Sequence, residues 1–154
     1  MIDRRLKNVR LKDLTFVVLY GLLLPFVFGI VGGLADYYVS ESVGFGIGHL
    51  IYWVVVLYVG GVVRNQYETP HLVYVLITLV GMLLAAVVIY AVPTVLVLSA
   101  ITEDPAMVFN PLSYLIWGIY LLNPLNWILH FNLSLAFWVL SIGIGTYLGL
   151  RKTF

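Results

Sequence analysis

The stretch FNPLSYLIWGIYLLNPLNWILHFN, residues 109–132, is apolar enough for a membrane, yet Asn-Pro interrupts it at Asn110 and again at Asn123. Proline disfavours helical conformation at the residue before it, so each Asn-Pro predicts a helix boundary whose asparagine side chain can cap the next helix. Between Pro111 and Asn123 about a dozen residues remain, which at ~1.5 Å each cover roughly half of a ~30 Å hydrocarbon core. The stretch therefore reads as two short apolar helices that dip into a bilayer or lie on it. Trp117, Trp127, Tyr114 and Tyr120 suit the interface, where a ring sits in apolar surroundings with its polar edge hydrated.

The rest of the chain decides between a half-crossing and a full one. Of its 154 residues, 62% are hydrophobic and 10% charged, against roughly 25% charged in soluble domains. Four further blocks are each long enough to cross a bilayer: residues 15–35, 43–63, 72–101 and 131–150. The expected fold is all-α, a single polytopic membrane domain over residues 1–154 with four transmembrane helices. An interfacial or re-entrant helical cap, about residues 105–130, lies between helices 3 and 4.

Lysine and arginine set the expected orientation. Arg4, Arg5, Lys7, Arg10 and Lys12 precede the first block, Arg64 follows the second, and Arg151 and Lys152 follow the fourth. The other two connections carry neither residue type, which predicts cytoplasmic N- and C-termini and an even number of crossings. A fifth crossing at residues 106–122 would place Arg151 and Lys152 outside, against that rule. Residues 1–14 are basic, with Ile2, Leu6 and Val9 near one face, and resemble an interfacial helix on an anionic inner leaflet. Small size and strict charge asymmetry point to a prokaryotic inner membrane, with no nucleic-acid partner.

Glycine at i and i+4 lets helices approach closely where lipid offers no hydrophobic gain on association. Gly29 with Gly33, Gly44 with Gly48, and Gly145 with Gly149 are the candidate packing pairs. They do not reveal whether the facing helix lies in this chain, a second copy or another protein. Pro25 and Pro93 each remove a helical hydrogen bond and are candidate kinks.

The chemistry-bearing residues are sparse. No cysteine is present, which excludes disulfides, thiolate metal sites and thiol catalysis. The four blocks contain no Asp, Glu, Lys or Arg, so a proton- or cation-coupled carrier lacks its usual intramembrane group. Polar residues gather toward the external ends: Asp36, Glu41, His49, Asn110, Asn123, Asn126, His130 and Asn132 form a candidate outer cluster. No histidine spacing there matches a metal motif, and Ser134, one turn after His130, is the nearest approach to a nucleophile and base. No catalytic, cofactor or metal residue is assigned.

The leading functional expectation is a non-catalytic membrane subunit. It would act by helix packing with copies of itself or with a partner complex in the lipid bilayer. The alternative is a small carrier or lipid-handling protein with a site under the cap. An intramembrane enzyme ranks third.

Overall fold

A computed structural model describes residues 10–129 and 133–154, and every regular element among them is helical. Helix α1 (Leu11–Val18) runs through a π-helical turn, Leu19–Leu23, into α2 (Leu24–Val43). It is followed by α3 (Gly48–Arg64) and α4 (Leu72–Thr102), then by α5 (Ala106–Phe109), α6 (Pro111–Leu122), α7 (Pro124–Leu129) and α8 (Leu133–Arg151). The continuous helices Leu11–Val43 and Leu72–Thr102 are long and apolar enough to cross a membrane by length and composition, while α3 is a shorter apolar helix.

Two boundaries differ from the sequence expectation. Residues 1–9 of the basic segment lie outside the described residues, and from Leu11 the chain is already in the helix that reaches Val43. No Gly or Pro stands between Leu11 and Tyr20 to break it. The second correction concerns Gly44, expected to pack a helix pair. It instead ends α2 in left-handed conformation, at φ 81°, with its amide donating to the Ser40 carbonyl at 2.9 Å. Only glycine adopts that conformation at no steric cost, and a Cβ there would meet nothing within 4 Å.

Pro25 lies just after the π turn. Its missing N–H leaves the Gly21 carbonyl without the usual α-helical donor, and the wider turn over Leu19–Leu23 takes up the fault. Gly81 of α4 packs so tightly on that carbonyl that a Cβ on Gly81 would overlap it. Pro93 sits within α4, which continues past it to Thr102.

Helix α4 is central, packed by α2, α3, α6 and α8. Small residues set these approaches. A Cβ on Gly29 would stand 3.3 Å from the Ala85 Cα, and one on Gly33 2.6 Å from the Val92 Cβ. Between α3 and α8, a Cβ on Gly145 would meet the Tyr52 ring at 3.0 Å and one on Gly149 the Val56 carbonyl at 2.8 Å. Gly48 lies against the Asp36 carboxylate and Trp138. The glycine pairs 29/33 and 145/149 thus seat helices of this same chain.

Buried polar groups add directional ties. The Tyr52 hydroxyl and Thr146 Oγ1 share a buried hydrogen bond of 2.6 Å, and Trp53 Nε1 donates to the Ser141 carbonyl at 3.1 Å. Both join α3 to α8. No buried side-chain N or O among the described residues lacks a partner, as the cost of leaving one bare requires.

The two ends of the bundle differ in charge. At one, Arg10 Nη1 meets Glu68 at 3.2 Å, Arg64 Nη1 donates to the Tyr67 carbonyl at 2.9 Å, and Arg64 Nε donates to the Phe154 carbonyl at 3.1 Å. The Tyr67 hydroxyl donates to the Thr153 carbonyl. Burial pushes that hydroxyl above the ordinary tyrosine range, only partly offset by its hydrogen bond and by Arg64, so it remains a donor through neutral pH. These contacts bring the start of α1, the α3–α4 connection and the end of α8 to one place. At the opposite end Asp36 binds the start of α3, and Trp138, near the start of α8, packs against Gly48.

Candidate functional site

The interrupted stretch 109–132 builds its helices from local hydrogen bonds. Asn110 Oδ1 accepts from the Leu112 amide at 3.0 Å, and Asn123 Oδ1 accepts from the Leu125 amide at 3.0 Å. Each asparagine is followed by proline at the first helical position, where no N–H is needed. Asp104 caps α5 in the same way through the Ala106 amide at 3.0 Å, and the Tyr114 hydroxyl donates to the Val108 carbonyl at 2.7 Å, tying α6 to α5. Asn126 Nδ2 donates to the Tyr120 carbonyl at 3.2 Å, holding the turn between α6 and α7.

Helix α6 lies alongside α4. Its Gly118 is buried against Val87, the central residue of α4, so closely that a Cβ on Gly118 would overlap the Val87 side chain. Val87 is about four turns from the end of α4, so α6 runs back alongside α4 to its middle. Its inward face holds Ser113 and Gly118, while Leu112, Leu115, Ile116 and Ile119 are exposed. Small groups on the inward face let α6 approach α4 closely.

Between α2, α4 and the α5–α6 unit lies a cavity of about 640 Å³. Ile30 and Leu34 form one wall, Val92 and Leu96 the other, and Val108 and Tyr114 the cover. Its lining is apolar apart from the Tyr114 hydroxyl, which is already bonded to Val108. Such a space suits hydrocarbon, with the Tyr114 hydroxyl as the one polar side-chain group in its lining. A second groove of about 530 Å³ continues on the same face along Thr15, Leu19, Leu22 and Leu23, and shares Phe26 and Leu84 with the first.

Among the described residues the polar cluster expected from sequence does not converge. Asp36 and His49 border one cavity of about 550 Å³, where the His49 ring stands edge-on to Phe137 at 5.1 Å. Asp36 Oδ1 is occupied there, accepting from the Ile47 and Gly48 amides at 2.6 and 2.7 Å. Glu41 receives the Tyr37 hydroxyl at 3.3 Å. Asn110 and Asn123 serve as the caps just described, and Asn126 holds the turn between α6 and α7. His130 and Asn132 lie outside the described residues, and with them the pairing of His130 with Ser134. Among the described residues no group of three His, Cys, Asp or Glu side chains could hold a metal ion.

The part played by Asp36 is therefore structural. Asp36→Ala frees two amides at the start of α3 and is expected to cost about 1–2 kcal/mol, the usual loss for a helix cap. Asp36→Asn, which keeps an acceptor oxygen, is expected to lose less. Thermal unfolding of both variants in a mild detergent checks this, and equal losses would contradict it.

Gly118, Gly21, Gly81 and Gly60, the last against the Gly149 carbonyl, are among the packing residues that spacing missed, because none has a glycine four residues away. The cavity walls left no sequence signal either, since Ile30 or Leu96 reads like any lipid-facing residue. No protein family, curated protein or solved structure matches the chain.

Proposed function

We propose that this chain is a four-span membrane protein that handles lipid. Helices α1–α2, α3, α4 and α8 cross the bilayer, and α6 re-enters from the external side. Both termini are cytoplasmic, in a prokaryotic inner membrane. The charge distribution supports this topology: Arg10, Lys12, Arg64, Arg151 and Lys152 belong to the end where the start of α1, the α3–α4 connection and the end of α8 meet. At ~1.5 Å per residue α3 is roughly 26 Å long, enough to cross with its flanking residues.

The observation that carries the functional reading is the apolar cavity of about 640 Å³ between α2, α4 and α6. Ligand sites are typically about 300–1,000 Å³, and the chemistry of this one fits a hydrocarbon chain entering from the outer leaflet. The chain is assigned no catalytic role. Gly29, Gly33, Gly145 and Gly149 give little support to the alternative of a packing subunit, because their faces are filled from within the chain.

The test uses nanodiscs containing phosphatidylcholine with a photoreactive acyl chain, followed by mapping of the labelled residues. Labelling is expected to concentrate on Val92, Leu96 and Tyr114. Ile30→Trp, which fills the cavity from a partly exposed position on α2, is expected to reduce it several-fold without unfolding the protein. Labelling of the cavity no stronger than that of exposed Leu140 on α8 would reject the reading.

A further inference from the structure

We infer that the groove at the basic end is a second lipid site, one that holds an anionic phospholipid. Its phosphate sits on Lys12, and one acyl chain lies along α1 and the π turn against α4. The inference rests on the four-span topology but not on the external cavity.

Length is the first argument. The groove runs from Thr15 to Phe26, about 16 Å at helical rise, which is close to half of a ~30 Å hydrocarbon core. Phe26 is adjacent to the middle of the helix Leu11–Val43, and Leu84 is within one turn of the middle of α4. The residues shared with the outer cavity thus mark mid-depth. Below them the groove has the reach of a chain from one leaflet; above them the cavity serves the other.

Chemistry is the second. The only polar side chain in the lining is Thr15, and its hydroxyl donates to the Leu11 carbonyl at 3.0 Å. No headgroup can be held within the groove, so recognition falls to its mouth. Lys12 precedes Thr15 by three positions and Leu19 by seven, which places it on the same face of α1, one turn nearer the basic end. It is exposed, while Arg10 beside it is paired with Glu68. A lysine stem lying along apolar surface with its ammonium at headgroup level is the geometry that binds phosphate next to hydrocarbon.

Charge complementarity therefore selects the occupant. A zwitterionic lipid would fill the groove equally well but gain less at Lys12, where arginine and lysine of the same end add to the field. A second copy of the chain would have to bring an acidic group to this basic end.

The experiment is native mass spectrometry of the full chain released from nanodiscs made with equal parts of phosphatidylglycerol and phosphatidylcholine. Wild-type protein is expected to retain phosphatidylglycerol in preference. Lys12→Gln lowers that preference about fivefold, the contribution of one basic side chain at an anionic surface, and Lys12→Arg retains it. Lys152→Gln, at the same end just beyond α8, lowers it much less. Leu22→Trp, which fills the groove, removes the retained lipid. Equal preference in wild type and Lys12→Gln, an equal fall in Lys152→Gln, or release of a lipid-free dimer would each overturn the inference. Ile30→Trp separates the two sites, since it displaces lipid from the external cavity and leaves phosphatidylglycerol retention intact.

Discussion

Gly81→Ala destabilises the protein by about 3 kcal/mol, the upper end of the usual cost of overpacking a core. The added methyl would overlap the Gly21 carbonyl oxygen and crowd the Leu22 Cα, so the atoms in its way are backbone and no rotamer change relieves it. That carbonyl is the one left without its α-helical donor by Pro25, and the close approach of Gly81 brings a Cα–H toward it, a weak but recurrent contact between packed helices. Alanine would push apart α4 and the helix Leu11–Val43 where they touch most closely. The control is Gly143→Ala in α8, where a Cβ would meet nothing within 4 Å. There alanine is expected to be neutral or stabilising by up to ~1 kcal/mol, because it is the better helix former. Thermal unfolding followed by circular dichroism in one detergent compares the two directly, and matching midpoints would show that the Gly21–Gly81 approach is not tight.

The second large effect is a loss that a second substitution repairs. Gly118→Ala is expected to lift α6 from α4, because the new methyl would enter the space of the Val87 side chain. Val87→Ala alone leaves a small void. Together the two exchange a large residue for a small one at a single crossing, so the double variant should regain most of the stability lost by Gly118→Ala. Coupling between contacting residues is commonly about 0.5–3 kcal/mol, and a value near the top of that range is expected here. The chain has no cysteine, so cysteines introduced at Val92 and Tyr114 report cleanly on whether α6 stays docked. Their cross-linking should fall in Gly118→Ala and return when Val87→Ala is added. Additive losses in the unfolding cycle, with cross-linking unchanged, would mean that α6 does not depend on this crossing. Loss of docking should also remove the lipid labelling expected in the cavity, since α5 and α6 form its cover.

These two crossings show where sequence reading succeeds and where it stops. The helices starting at Pro111 and Pro124 were legible because each is specified within a few residues: the proline blocks helix at the asparagine, and the asparagine side chain then satisfies the next turn. Gly44 deceived for the opposite reason. Its spacing from Gly48 matched a packing pair, but its backbone conformation depends on where α2 ends. The described members of the outer polar cluster behave similarly, because Asp36, Glu41, Asn110, Asn123 and Asn126 each find a partner within a dozen residues and have no need to meet.

What the amino-acid sequence determined by itself is the all-helical character, the apolar composition of the long helices, the asymmetry of lysine and arginine, and the two Asn-Pro boundaries. Each arises from composition or from hydrogen bonds that close within a turn. Only the tertiary structure decided that Gly21 meets Gly81, that Gly118 meets Val87, and that Ile30 and Leu96 face a cavity. The physical reason is that apolar side chains turned toward lipid, toward a neighbouring helix or toward an empty groove have the same chemistry along the chain. Their roles separate only once the helices have chosen their neighbours, and that choice rests on contacts between residues far apart in sequence.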